Sequence, residues 1–557
     1  MAKEYQLPKT IAIIGASFSG AIAAKRIREL DARARIVLLE KGNEVSYSLS
    51  GLPYFLSGEV KSIDQLKKED ENYLKKFFNI EVYTQTKANA VDTKTKTIFT
   101  TSEEDLTELK YDELIVATGA ASLYPDGLHS EIKNHFFLRN IQDTLQIDRL
   151  FRSAQKRILV LGAGSAGMEA VDACYKRGVE AILIEKEEKI LPMFGETITC
   201  LVENQISGKV KVFKNTKHIT FESNENQITS ATWNNQKMPI DGVISCIGIR
   251  PRTELSKSIG LKLWQDGTIK IDDHCKTNIK NVFACGLAAS VPTRDGYHWL
   301  KQSNISSHTA LVAAENASGL SSRLGKMAHS TTLRVFGVEF GQIGLSWKDA
   351  EQSYGKEKIA RIFHWSRDRE EFLSDGNRIA NELIYLKKNQ KILGYETLGN
   401  NTKLRLDAFS IVLQEEFTLS DLKYAAFPYF PSAGESKDAI NSLASLAIEK
   451  EEHRLDLTEP KVILLNRKDY FLLQVDEEEL QSIDIDAHFP IGLIRTNLPE
   501  LLQKFSRSGA KKIATICKDG KTARLAFLVL KDHNIASTAV LGGSLLYQEF
   551  SKQSVLS

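Results

Sequence analysis

One pattern occurs twice in this chain and limits the fold more than any other feature. Thr10-Ile11-Ala12-Ile13-Ile14 runs into Gly15-Ala16-Ser17-Phe18-Ser19-Gly20 and a helical stretch, and a second apolar run ending at Leu39 closes on Glu40. About 150 residues later, Arg157-Ile158-Leu159-Val160-Leu161 feeds Gly162-Ala163-Gly164-Ser165-Ala166-Gly167, a helix from Met168, and Ala181-Ile182-Leu183-Ile184 closing on Glu185. Each copy reads as strand, tight glycine turn, helix, second strand and terminal acid, the order of a dinucleotide-binding βαβ unit. The first glycine allows the turn. The helix N-terminus offers free N–H groups and partial positive charge to a pyrophosphate, and the last glycine lets helix and strand approach. In the first copy Ser17 stands where the middle glycine often sits and bulky Phe18 follows, so an ordinary βαβ crossover is the competing reading there. The second copy is a complete fingerprint for a nicotinamide dinucleotide. Glu185 favours NADH by bonding a ribose 2′-hydroxyl and repelling a 2′-phosphate, while Lys186 keeps NADPH admissible.

A chain of 557 residues exceeds one core and implies three or four domains. With 42% hydrophobic and 26% charged residues it has the composition of a globular protein, and a net charge of +2 gives no broad electrostatic footprint for nucleic acid. The N-terminus shows no apolar leader and no run suits a membrane span, so the expectation is a cytoplasmic protein without membrane or nucleic-acid partners. Cys174, Cys200, Cys246, Cys275, Cys285 and Cys517 are scattered without CxxC pairs. No zinc site or disulfide framework is expected, and no metal.

Three further segments fit the scheme: the strand ending in Ala117-Thr118-Gly119, the run Cys246-Ile247-Gly248-Ile249-Arg250-Pro251, and Val282-Phe283-Ala284-Cys285-Gly286. With the two fingerprints they make residues 8 to 435 resemble the pyridine nucleotide-disulfide oxidoreductases. Within that family Ser46-Tyr47-Ser48-Leu49-Ser50-Gly51-Leu52-Pro53-Tyr54 is similar to the active-site stretch of coenzyme A-disulfide reductases and NADH oxidases. The resemblance implies an α/β protein with two Rossmann-like domains, an α+β dimerisation domain and a homodimeric assembly. It implies FAD on Gly15, Ser17, Phe18, Ser19, Gly20, Glu40, Lys41, Ala117, Thr118, Gly119, Gly286 and Leu287. NADH, with NADPH possible, falls to Gly162, Gly164, Ser165, Ala166, Gly167, Glu185 and Gly248.

Toward the C-terminus, Lys512-Ile513-Ala514-Thr515-Ile516-Cys517-Lys518-Asp519-Gly520-Lys521-Thr522, a helix, and a strand ending in Gly542-Gly543 resemble a rhodanese domain. Backbone N–H groups of Lys518 to Thr522 are expected to wrap the Cys517 sulfur, lower its pKa and hold a persulfide, a buried inert thiol being the competing reading. The expected division is 1–150 with 271–328 for FAD, 151–270 for NAD(P)H, 329–435 for dimerisation, a linker helix at 436–454, and a rhodanese-like domain at 455–557.

The same comparison exposes departures. Ser50 occupies the place of the family's redox cysteine, and a hydroxyl forms neither a mixed disulfide nor a thiolate. Its bland reading is a helix N-cap, with Pro53 in the first turn. Arg28-Glu29-Leu30 replaces Arg-Arg-Leu and Leu49 an asparagine, which disfavours coenzyme A. Arg26, Arg28 and Ser46 are left either to another anion or to a solvated helix face. Leu287 replaces an aspartate that accepts a bond from the flavin's ribityl chain, a loss of about 1.5–3 kcal/mol. Glu370 to Gly376 lacks the family's Tyr-Tyr-Pro-Gly motif, whereas Tyr424 and Tyr429 match a later segment that approaches the active site or packs a dimer interface. Thr522 and Gln474-Val475-Asp476 depart from the rhodanese pattern. The function expected is a flavin- and NAD(P)H-dependent oxidoreductase. Its small-molecule acceptor is a disulfide, a persulfide on Cys517, or oxygen. The alternative is a catalytically impaired dinucleotide-binding scaffold or redox sensor.

Overall fold

Each repeated apolar run becomes the central strand of a five-stranded parallel sheet. In the computed structural model the first sheet has the order Val282–Ala284, Glu113–Val116, Thr10–Ile14, Arg35–Leu39, Glu81–Tyr83. The second has His135–Phe136, Gly242–Ser245, Arg157–Leu161, Glu180–Ile184, Lys211–Phe213, the same order of equivalents. Strands sandwiched between helices lack a solvent face, which is why Ile11 to Ile14 and Ile158 to Leu161 are apolar without alternation and fully buried.

Residues 8–556 are described, apart from 68, 103–105, 154–155, 295 and 481–482. The N-terminal residues 1–7, on which the reading of the leader rests, lie outside the described residues. Two compact units emerge, Met1–Ile190 with Gly208–His329, and Leu191–Ser207 with Ser330–Ser557. Among the described residues no helix is long and apolar enough to cross a membrane.

In the first unit, helix Phe18–Leu30 packs against helix Ser303–Ala317. Ala23, Ala24 and Ile27 face Ala310, Ala313 and Ala314 within one core, and small side chains let the helix axes approach closely. The glycine turns depend on missing Cβ atoms. Gly15 has φ +104°, and a side chain there would collide with the Ala117 carbonyl; one at Gly20 would collide with the Gly15 carbonyl. Gly162, at φ +89°, stands in the same relation to the Cys246 carbonyl, 2.6 Å from where its Cβ would be. The two turns therefore share one construction.

The second unit holds an antiparallel sheet ordered Ser330–Val335, Val338–Gly344, Ile392–Leu398, Arg378–Leu386, Ile359–Arg367. It also holds a parallel sheet ordered Leu457–Thr458, Ser537–Val540, Lys512–Ile516, Tyr470–Gln474, Ala487–His488. Helix Ala439–Glu451, in the segment expected to link domains, packs on strands Ile359–Arg367 and Arg378–Leu386 and buries Ile440, Leu443, Ala444 and Ala447. Helix Glu196–Ile206, which follows the second βαβ repeat in the chain, belongs to this unit.

Candidate active site

The first glycine turn opens into a cavity of about 910 Å³. Gly15, Ser17, Phe18 and Ser19 line it from the turn and the helix start, Glu40 and Lys41 from the end of the second strand. Ala117, Thr118 and Gly119 line it from the neighbouring strand, and Leu287 and Ser50 from separate loops. Gly20 and Gly286 lie behind this surface and shape it. Gly286 has φ +68° and a side chain there would collide with the Ser19 hydroxyl, so the loop carrying Leu287 closes directly onto the first turn of helix Phe18–Leu30.

Ser17 is the N-cap of that helix but makes no side-chain cap, which leaves the first-turn N–H groups facing the cavity. Glu40 accepts from the N–H of Ala16 at 2.9 Å and of Gly42 at 2.9 Å, fixing the carboxylate at the rim of the turn. The second repeat copies this arrangement: Glu185, 5% exposed, accepts from Ala163 N at 2.6 Å and Glu187 N at 3.0 Å. There Gly164 is the N-cap of helix Ser165–Lys176, with Ala166 and Gly167 in its first turn, and Gly248, at φ +118°, precedes strand Ile249–Pro251.

Cationic residues of the cavity were not legible from the motifs. Arg139 and Arg252 join Lys41 in its wall. Burial, and next the charge of Arg252, pull the pKa of both Lys41 and Arg139 down, outweighing the opposing charges of Glu40 and Glu254 at Lys41. Arg252 is positioned by backbone: its N–H donates to the Gly119 carbonyl at 2.9 Å, and its carbonyl accepts from Thr118 Oγ1 at 2.6 Å. A residue held through its main chain leaves no side-chain signature in a sequence. Tyr47, whose hydroxyl donates to the Arg139 carbonyl at 3.2 Å, and Lys301 complete the set.

Ser50 is not a helix cap. It sits in the short 3₁₀ turn Leu49–Gly51, the N-cap of the following helix Leu52–Leu56 is Gly51, and that cap makes no side-chain bond. The reason is the extra 3₁₀ turn, which moves the helix start one residue beyond Ser50. Pro53 does stand in the first helical turn. Ser50 is exposed, and no cysteine lines the cavity among the described residues.

The arginines of the first helix serve neither an anion nor open solvent. Arg28 donates to the carbonyls of Phe78, Asp31, Ala32, Ala34 and Asn79, bracing the helix C-terminus against two loops. Arg26 holds Glu315 through two nitrogens at 2.9 and 2.6 Å and Glu29 at 3.1 Å. Ser46 donates to Glu69 at 3.0 Å.

In the second unit, Cys517 follows strand Lys512–Ile516 and is 1% exposed. The Ala523 N–H donates to its sulfur at 3.2 Å, and the Gly520 N–H acts in the same sense. Burial outweighs both, and Asp519 and Asp476 add to it, so the thiol lies above its ordinary value of 9.0 instead of below. Asp476 also accepts from the Lys518 N–H at 3.1 Å, putting a negative charge on the loop. Tyr424 is 82% exposed and Tyr429 52% exposed; partial desolvation, and next its bond to Glu370, raise the Tyr429 pKa.

The model of the pyridine nucleotide-disulphide oxidoreductase family matches residues 9–311, and that family's dimerisation domain matches 331–440. A coenzyme A disulfide reductase of Staphylococcus aureus (strain JH9) is 26% identical over 456 residues, covering 78% of this chain and 99% of the relative. An NADH oxidase of Methanocaldococcus jannaschii is 25% identical over 448 residues, covering 79% and 98%. Among solved structures, an NAD-dependent persulfide reductase from A. fulgidus aligns with TM-score 0.90 and 26% identity over 97% of this chain and 100% of that one. A Bacillus anthracis CoADR-RHD shares the fold, with TM-score 0.89 and 22% identity over 98% and 99%.

FAD and NAD(P)H are the cofactors of this enzyme. The first site fits FAD: a cradle closed to any Cβ, an uncapped helix N-terminus and the lining cations Lys41, Arg139 and Arg252 suit a pyrophosphate, and the Glu40 carboxylate suits a ribose. A nicotinamide dinucleotide fits the second turn on the same grounds, with Glu185 fixed at its rim. Fold, paired glycine turns and family matches agree: the chain belongs to the pyridine nucleotide-disulphide oxidoreductases, its reductase portion fused to a rhodanese-like domain.

Proposed function

We propose that this FAD- and NAD(P)H-dependent oxidoreductase passes electrons to a small acceptor directly, without an enzyme thiolate at the flavin. The observation that carries the reading is Ser50: the cavity wall holds a hydroxyl at the position of the redox cysteine, and no lining cysteine replaces it among the described residues. Bound flavin supplies the two-electron step from nicotinamide. The chain's own residues bind and orient it through the glycine cradle, Lys41, Arg139 and Arg252, and Gly286 sets the approach of Leu287. Oxygen, a disulfide or a persulfide is the acceptor class. Coenzyme A is disfavoured, because the donors of Arg26, Arg28 and Ser46 are engaged within the protein.

Cys517 enters as a sulfur carrier. The Ala523 and Gly520 N–H groups support a sulfur held there, and its burial requires the Cys517–Lys521 loop to open for loading. The absorption spectrum, taken anaerobically before and after NADH, tests the main reading. Flavin bands that bleach and return on adding oxygen or polysulfide are expected, with polysulfide turnover lost in Cys517→Ala. Flavin that ignores both NADH and NADPH would favour the scaffold reading, which Leu287 in place of the ribityl-bonding aspartate supports.

A further inference from the structure

One wall of the cavity carries a positive charge that the family comparison does not assign. The Leu287 carbonyl accepts from Trp299 Nε1 at 3.0 Å, and the Lys301 ammonium lies over the Trp299 ring, 4.4 Å from its centroid. Leu287, Lys301, Gln302, Ser303 and Ser306 all line the cavity. The last three open helix Ser303–Ala317, which has no acidic residue in its first turn and no side-chain cap. Ammonium and helix N-terminus therefore add on the same side. Asp266 is the acid that faces Lys301, and one of its oxygens accepts from the Thr268 N–H at 2.9 Å and the Thr268 hydroxyl at 2.6 Å. Burial pulls the Lys301 pKa down and outweighs the opposing effect of Asp266.

The place of this wall along the cofactor follows from the cradle. With the pyrophosphate at Ser17–Ser19 and the ribose at Glu40, the rest of the molecule extends past Gly286–Leu287, because that loop closes onto Ser19. Lys301 lines the same cavity and is tied to Leu287 through Trp299. An aspartate at 287 would add a second negative charge to that of Asp266 on this wall; a leucine adds none.

We propose that Lys301, clamped over Trp299 beside Leu287, is the residue that neutralises the negative charge the isoalloxazine ring acquires on two-electron reduction, and so favours reduction by NAD(P)H in a site that has no redox thiolate to draw the electrons onward. This rests on the reading of the cavity as the flavin site. Hydride from NAD(P)H brings two electrons and one proton to the ring, so one net negative charge appears there and NAD(P)⁺ leaves; a fixed cation in a half-buried site stabilises that charge without reorganising.

Sulfite is the probe. Its lone pair forms a bond to the ring's N5, and the displaced electron pair settles at the N1–C2 carbonyl end, so the adduct carries the charge in question and needs no other reagent. The flavin-loaded full chain is titrated with sulfite by absorbance, and its midpoint potential is measured by dye equilibration. In Lys301→Gln, and in Lys301→Met as an independent variant, sulfite is expected to bind about tenfold more weakly and the potential to move negative, with both restored in Lys301→Arg. Leu287→Asp is expected to weaken sulfite binding in the same direction. Flavin-loaded Gln and Met variants with unchanged sulfite affinity and potential would overturn the assignment, as would flavin-loaded wild type that forms no adduct. A purified chain holding no flavin would overturn the cofactor reading itself, a result distinct from either.

Discussion

At the scale of single residues, the proposed function turns on Ser50 and Cys517, and each departs from what its motif implies. At Ser50 the thiol is absent. At Cys517 the thiol is present but closed in: it is 1% exposed, and two carboxylates, Asp519 and Asp476, work with burial against ionisation. The thiolate is the nucleophile, so reactivity follows its fraction. With the pKa above 9.0, that fraction is small at pH 8 and grows about tenfold per pH unit until the pKa is passed. Native Cys517 is therefore expected to react with iodoacetamide at pH 8 at least about tenfold more slowly than in the unfolded chain, with the native rate still climbing above pH 9. Peptide mass spectrometry of timed samples reads this out. Fast labelling at pH 7 would mean that the loop opens and that the Ala523 and Gly520 N–H groups prevail.

At the scale of elements, helix Phe18–Leu30 does two tasks at its two ends. Its N-terminus is left uncapped toward the cavity, and its C-terminus is secured by Arg28, which donates to five backbone carbonyls. Arg28→Ala removes these charge-assisted bonds and strands several carbonyls, a cost of about 2–3 kcal/mol. For a unit of this size the expected fall in melting temperature is about 5–10 °C, measured by calorimetry on the flavin-loaded protein. If Arg28 instead served a ligand, the variant would melt normally and bind substrate poorly. The sequence disclosed this helix, both glycine turns, the terminal acids and the rhodanese-like strand–loop–helix, because those depend on local spacing and on glycines whose Cβ would collide with a carbonyl. It did not disclose Arg139, Arg252 or Lys301, which tertiary pairing brings to the cavity from loops without periodicity. Nor did it disclose the 3₁₀ turn at Leu49–Gly51, which a choice between helix and loop passes over. The role of Arg28 was hidden for a similar reason: its partners are carbonyls, and any residue type supplies one.

At the scale of the whole molecule, the chain does not fold in sequence order. It leaves the first unit at Leu191, contributes helix Glu196–Ile206 to the second, and returns at Gly208. That helix completes the second unit's interior. Gly195 N donates to both Glu396 oxygens at 2.8 and 2.9 Å, and Thr197 Oγ1 donates to Glu382 at 2.6 Å. Both carboxylates are 1% exposed and pair across adjacent strands, and burial drives the Glu382 pKa upward. At its far end Asn204 Nδ2 binds the Glu549 carbonyl at 2.9 Å and carboxylate at 2.6 Å, while Ile198, Leu201, Val202 and Ile206 are buried. Without the helix, two buried carboxylates directly opposite each other on adjacent strands lose the Gly195 and Thr197 donors, with Arg361 remaining 3.6 Å from Glu382, at a cost of several kcal/mol beyond the apolar surface exposed. A fragment of residues 330–557, chosen by sequence order as dimerisation plus rhodanese-like domain, is accordingly expected to show no cooperative thermal transition by circular dichroism. Joining residues 191–207 to it through a flexible linker is expected to restore one. A fragment that melts cooperatively unaided would mean that this helix is a passenger on the second unit, and that Glu382 and Glu396 find other donors or take up protons when it leaves.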